Sequence, residues 1–304
     1  MRLNEQAIAE KLFADDVRER IRRDYALEAN AGTAMDFVDQ IVDGFNQHPA
    51  DVFASRSNAE VFRAAVWALG SNSRSWATFL RNRDKLSDAL FGMDPVQARD
   101  VEIETLSMLL PGQTSTGDAK AIHAWANLLA DFERNGESYY DAVISLANTI
   151  KNHASGRGID LPDEQLMLCV VGHLIDEPPK QWSGQTPGKL RGMRFALGSE
   201  FFRNLGWNGF KPDRHVIRLL DGWAGPLVEQ QAATATELAQ LAGRDSREVR
   251  EIMRYSLAGI AISPSTNYSR TDNLIWLLGA YVETKRRTDR HGFGHYLVGT
   301  AGVQ

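Results

Sequence analysis

The stretch TPGKLRGMRFALGSEFFRNLGWNGFKPDRHVIRLL, from Thr186 to Leu220, decides the fold. Its spacing predicts two short helices joined by a tight glycine turn, then a loop, then a third helix. Thr186 and Pro187 form a helix-start signal, a hydroxyl able to cap free amides followed by a proline suited to the first helical position. Gly192, within Leu190-Arg191-Gly192-Met193, is placed to take the left-handed conformation that stops that helix. A second helix is predicted from Phe195 to Leu205, with Phe195, Leu197, Phe201, Phe202 and Leu205 on its buried face. Gly206 ends it and Asn208-Gly209 turns the chain. Pro212-Asp213 then opens a third helix that points Val216, Ile217 and Leu220 inward.

That order resembles the helix-hairpin-helix DNA glycosylases. Their hairpin reads L-P-G-[VI]-G, and a catalytic Asp follows further along in a phrase like V-D-x-H-V-x-R. Here the hairpin is Leu190-Arg191-Gly192-Met193-Arg194 and the later phrase is Pro212-Asp213-Arg214-His215-Val216-Ile217-Arg218, with 21 residues from Gly192 to Asp213. Arg191 stands where the family has its proline, and Arg194 where it has the second glycine. The resemblance implies an all-α fold, a two-lobed helical bundle with a central helix-hairpin-helix. The hairpin lobe would run from about 58 to 225, the second lobe from 1–57 together with 226–304, and Asp213 would face a base pocket between them.

At 304 residues the chain can bury a large core, and its 24% charged and 43% hydrophobic residues describe an ordinary globular protein. No apolar run approaches the length of a membrane span, and Met1 to Arg23 is charged throughout, which predicts no signal peptide, no membrane association and a cytoplasmic location. Cys169 is the single cysteine, which excludes an internal disulfide and the four-cysteine iron–sulfur site of some members of the superfamily.

A net charge of −5 suits DNA poorly until it is resolved by position. Between Lys180 and Arg218 lie eight basic residues (Lys180, Lys189, Arg191, Arg194, Arg203, Lys211, Arg214, Arg218) against only Glu200 and Asp213. That local surplus of six leaves the remainder of the chain at −11. Such asymmetry fits a local phosphate-facing surface, and equally a solvated basic face.

Around this stretch the apolar periodicity predicts helices nearly throughout, and β-branched alternation is scarce. Asn4–Tyr25 reads as one amphipathic helix, Thr33–Phe45 as another, and Asn58–Phe91 as a helix interrupted at Gly70–Ser73. The segment Leu69–Trp76 either fills the place of the polar turn that the superfamily directs at DNA or is a plain helix connection. Further helices are predicted over Asp94–Leu110, Asp118–Asn135, Glu137–Asn152 and the apolar Pro162–Ile175, with a Gly-rich connector at His153–Asp160. Thr234–Leu257 matches a helix-turn-helix, with capping boxes expected from Thr234 with Glu237 and from Asp245 with Glu248. That pattern reads DNA in some proteins and merely packs two helices in others. A last helix is predicted over Asp272–Lys285, and the two histidines of the tail, His291 and His295, have no ligand partners that would suggest a metal.

The resemblance makes Asp213 the catalytic carboxylate of base excision, kept ionised by helix-terminal amides. It makes the hairpin residues Lys189, Arg191, Gly192, Met193 and Arg194, with Arg214, the DNA contacts, amides and charges binding phosphate without regard to sequence. Trp182 and Trp207 are candidates for a pocket around a flipped base, and core packing is the competing role for each. Bifunctional members carry a Schiff-base lysine on the second hairpin helix; Phe195 and Ala196 occupy that place here, which implies a monofunctional enzyme. No cofactor is expected, apart from the monovalent cation that the superfamily often places on hairpin carbonyls. The expected partner is double-stranded DNA, engaged by a monomer. The rival expectation is a non-catalytic regulator that reads DNA with the helix-turn-helix at 236–255.

Overall fold

A computed structural model of the protein describes residues 1–27, 32–42, 51–72, 76–110, 112–175, 186–284 and 296–298. Trp182, Lys180 and the tail histidines His291 and His295 lie outside those residues, as does part of the Leu69–Trp76 turn. The described residues form fifteen α-helices and a single two-residue antiparallel pairing, Arg2–Leu3 with Leu297–Val298, so the protein is all-α. No helix among them is long and apolar enough to cross a membrane.

The chain divides into two units. Met1–Gln47, Asn208–Gln240 and Asp245–Gln304 form a terminal unit, and His48–Trp207 with Leu241–Arg244 a central one. The unit with the hairpin therefore ends at Trp207, earlier than the boundary expected near 225, and Asp213 belongs to the terminal unit. The physical reason is where the following side chains bury: Phe210, Val216, Leu219 and Leu220 sit in the terminal unit's apolar core.

In chain order, α1 (Glu5–Leu12), α2 (Asp15–Tyr25) and α3 (Ala34–Val42) open the terminal unit. The run read as one helix from Asn4 is broken because Ala14 is extended (φ −55°, ψ 139°) and starts α2 afresh. The central unit contains α4 (Asn58–Ala68), one 3-10 turn (Leu69–Ser71), α5 (Trp76–Ala89), α6 (Pro95–Ala98) and α7 (Ile103–Leu109). It continues with α8 (Ser115–Arg134), α9 (Tyr139–Gly156), α10 (Asp163–Leu174) and α11 (Phe195–Asn204). Two lengths differ from expectation: Asp94–Leu110 is two short helices, and α9 runs through the Gly-rich segment to Gly156. Helix α10 is buried from Leu166 to His173, as its apolar run Leu166–Val171 requires.

The terminal unit resumes with α12 (Arg214–Gln230), kinked at Ala224 just before Pro226, then α13 (Ala232–Leu241) and α14 (Arg247–Ile262). It closes with α15 (Tyr268–Leu277), which continues into a π turn at Leu278–Val282. Gly243, at φ +68°, supplies the turn between α13 and α14. Neither expected capping box forms: Thr234 lies inside α13, and Ser246, not Asp245, caps α14 through the Val249 amide at 3.2 Å. Helix α15 begins at Tyr268 on an Asn267 cap, ahead of the predicted start at Asp272.

Close packing in the terminal unit centres on Phe210. Its ring lies so near α14 that a Cβ on Gly259 would fall 2.4 Å from it, so only glycine lets the ring seat there.

Candidate active site

The glycine turn of the central unit forms as read, but the helix before it does not. Residues 186–190 are irregular, which corrects the helix start expected at Thr186-Pro187. Their main chain is satisfied by tertiary partners instead of helical ones: the Tyr139 hydroxyl donates to the Gly188 carbonyl at 3.0 Å, and the Trp125 indole N–H to the Arg191 carbonyl at 2.8 Å. The turn closes with the Met193 amide donating to the Leu190 carbonyl at 3.1 Å, Gly192 at φ +80° between them. Leu190 and Met193 are buried on either side of it, in an apolar pocket with Val171, Phe201 and Phe202.

Arg194, extended at φ −100° and ψ 178°, precedes α11 without a side-chain cap on the helix's first amides. Arg191, Gly192 and Arg194 are exposed and Lys189 is half-buried. Amides at a helix start without a side-chain cap, with exposed arginines at Arg191 and Arg194 in the adjoining turn, are groups that suit an anion. The carbonyls of Gly188, Leu190 and Arg191 each accept an O–H or N–H donor, one of the two hydrogen bonds a carbonyl oxygen can take.

In the terminal unit, Asp213 is the N-cap of α12, as its sequence position predicted. One carboxylate oxygen, Oδ1, accepts from the amides of His215 at 2.8 Å and Val216 at 3.0 Å. Those two bonds fix the carboxylate through Oδ1 and leave Oδ2 for other work. The loop leading to it is held from α15. The Asn208 Oδ1 accepts from the Ser269 amide at 3.0 Å, and the Ser269 hydroxyl accepts from the Gly209 amide at 3.1 Å. The Asp272 carboxylate accepts from the Lys211 amide at 2.9 Å, and the Asp213 amide donates back to the Lys211 carbonyl at 2.8 Å.

Two further side chains stand beside Asp213. The half-buried His215 ring meets Trp276 edge-on, centroids 6.3 Å apart, and the Lys211 ammonium lies 6.0 Å from the Trp276 ring centre. Burial pushes His215 below the ordinary imidazole range, against an opposing pull from the Asp213 charge, so the ring is neutral at neutral pH. Arg218, one turn further along α12, donates to the carbonyls of Gly279, Glu283 and Thr284.

No family model, curated protein or solved structure matches the chain. The chemistry of the site rests on its own residues.

Of the basic residues counted in the sequence, Arg203 (0 % exposed) and Lys211 (6 %) are buried, and Arg218 spends its guanidinium on carbonyls. The surface charge of the stretch is accordingly smaller than its composition implies, with Arg191, Arg194 and Arg214 exposed. Trp207 is a core residue, 1 % exposed, its indole donating to the Tyr140 hydroxyl at 2.9 Å and its ring packed on Phe53 and Phe202. That placement serves packing and not a base pocket. Trp276, half-exposed against the His215 ring, is the aromatic that sequence reading missed; it stands about sixty residues downstream in a run read only as core-facing helix.

The helix-turn-helix reading meets a less favourable surface. On α14 the Arg250 guanidinium pairs with Asp245 at 2.6 Å and Arg254 with Glu229 at 3.0 Å, while Glu248 and Glu251 are exposed. A phosphate backbone would meet there exposed Arg247, two arginines already paired and two exposed carboxylates.

Proposed function

We propose that the protein is a monofunctional DNA glycosylase, which hydrolyses the N-glycosidic bond of a damaged or modified base in double-stranded DNA and leaves an abasic site. The observation that carries the reading is the Asp213 carboxylate: Oδ1 pinned by the amides of His215 and Val216, at the head of a helix whose preceding loop is itself tied down. As the base departs with the bonding electrons, the deoxyribose gains oxocarbenium character. A fixed anion stabilises that charge without reorganising, and its other oxygen can orient the water that attacks the sugar carbon. Water supplies the hydroxyl to the sugar and the proton to the departing base. His215, neutral beside it, adds no competing positive charge.

The glycine turn supplies the second requirement. Its exposed arginines, Arg191 and Arg194, and the uncapped start of α11 suit phosphate binding that is indifferent to sequence, with Lys189 and Met193 adjacent in the chain and Arg214 exposed at the start of α12. Trp276 is an aromatic surface on which an extruded base could stack. Phe195, where a Schiff-base lysine would stand, is buried and carries no amine, so the sugar is attacked by water and not by the enzyme. The monomer acts on DNA in the cytoplasm, in repair or in defence against modified phage genomes.

The test is a panel of duplexes bearing alkylated, oxidised and deaminated bases, with modified phage DNA, scored for alkali-labile sites. The expected result is base release from at least one substrate, no borohydride-trapped adduct, and a loss of about 10²–10³ in rate for Asp213→Asn, the scale of removing one preorganised electrostatic group. Asn still caps a helix, so DNA binding should persist. Undiminished release by Asp213→Asn, or none by the wild type across the panel, overturns the reading. Loss of DNA binding on changing Arg247 and Arg250 instead would favour the regulator.

A further inference from the structure

Asp272 is fully buried (0 % exposed) on the face of α15 that meets the loop before α12. Burying a carboxylate is costly unless its oxygens are hydrogen-bonded, so its partners indicate what it is for. The partner it holds in this loop is the main-chain amide of Lys211, at 2.9 Å. That residue's carbonyl in turn accepts the Asp213 amide at 2.8 Å, so a single residue links the buried carboxylate to the main chain of the presumed catalytic one. Ser269, one turn earlier on α15, fixes the other end of the loop by bonding both the amide and the carbonyl of Gly209. Between these two anchors Phe210 is sealed in the core against Gly259, and Pro212 restricts the last step into Asp213.

We propose that Asp272 is a positioning residue, which sets the place of the Asp213 carboxylate through the Lys211 main chain. It touches neither DNA nor the reacting atoms. Its effect on chemistry runs through geometry alone, because Asp213 must keep both Oδ1 bonds while presenting Oδ2, and a shift of about 1 Å at a reacting group can cost on the order of 10²-fold in rate. The proposal rests on the glycosylase reading for its kinetic consequence, but its structural part is measurable without activity. Two amides, those of His215 and Val216, donate to Asp213 itself, so their exchange reports on where its carboxylate sits.

The experiment measures residue-resolved amide hydrogen exchange and single-turnover base release for Asp272→Ala, Asp272→Asn and Ser269→Ala in the full-length protein. Asp272→Ala should speed exchange at Lys211, His215 and Val216 at least tenfold while the amides of α14 stay protected. It should also lower the rate of base release about a hundredfold with KM for DNA unchanged. Asp272→Asn, which keeps an acceptor oxygen in the same place, should restore most of both. Protection of His215 and Val216 that survives in Asp272→Ala overturns the proposal, as does a parallel fall in DNA affinity and rate, which marks a merely structural role. If Asp272→Ala does not fold, Ser269→Ala decides: faster exchange at His215 and Val216 with KM held supports the linkage, and wild-type protection ends it. Exchange that responds as expected in a protein whose wild type releases no base from any substrate refutes the glycosylase reading alone.

Discussion

In the central unit, side-chain donors reach for main-chain oxygens: the Tyr139 hydroxyl holds Gly188, and the Trp125 indole holds Arg191. In the terminal unit's loop before α12, side-chain acceptors also reach main-chain nitrogens: the Ser269 hydroxyl accepts from the Gly209 amide while donating to its carbonyl, and Asp272 accepts from the Lys211 amide. The contrast fixes what each loop can present. With its carbonyls engaged, the glycine turn offers amides and arginines, a surface for anions. With its amides engaged, the second loop offers a carboxylate, a surface for a developing cation. Phosphate binding and base excision need one of each.

The largest break in this contrast should come from Gly259→Ala. The added methyl would lie 2.4 Å from the Phe210 ring, which must shift, at a cost of about 1–3 kcal/mol in unfolding free energy. Thermal unfolding measures it, and base release should fall with DNA binding retained, because only the carboxylate loop is disturbed. Next, replacing Arg191 and Arg194 together by Ala should weaken binding to all DNA sequences alike. It should also reduce the dependence of log K on log salt by about 1 to 2 units, read from titrations at several ionic strengths.

Tyr139→Phe removes only the hydroxyl that satisfies Gly188, and should cost about 1 kcal/mol of stability by denaturant titration. Its functional trace should be weaker DNA binding with an unaltered Asp213 site. The smallest effect is acid sensitivity, shared by one histidine in each unit. Burial lowers the pKa of His173 and of His215 below the ordinary 6.5. The unfolded chain therefore takes up protons first as pH falls. The stability these rings provide is complete above 6.5 and is lost as pH drops from there toward the folded-state values. His173→Gln and His215→Gln should each flatten the stability profile in that window.

Local signals in the sequence predicted local structure well. Asp213 after Pro212 caps a helix, Gly192 takes a positive φ, and the all-helical class follows from apolar spacing. What sequence could not show were bonds formed across long separations. Thr186-Pro187 resembles a helix start, yet the carbonyls that follow are satisfied by Tyr139 and Trp125, 49 and 66 residues away, so no helix is needed. Trp207 offered an aromatic at the right place in the chain, and only the Tyr140 hydroxyl bonded to its indole reveals it as core. Asp272 was read as a helix start because the amide it accepts from lies 61 residues earlier. Charge misled in the same way: Arg203 and Lys211 count as basic in any tally, but both are buried.

The clamp on the carboxylate loop also bears on how the protein is made. Gly209 and Lys211 leave the ribosome about sixty residues ahead of Ser269 and Asp272, which hold them. At the usual pace of roughly 5–20 residues per second, Asp213 spends several seconds in a nascent chain that lacks the helix needed to seat it. A chain stalled before Ser269 would carry the whole glycine turn and Asp213, but not the clamp that fixes the loop before it. Seating of the Asp213 loop would thus come only after translation has passed α15, a delay written into the order of the chain.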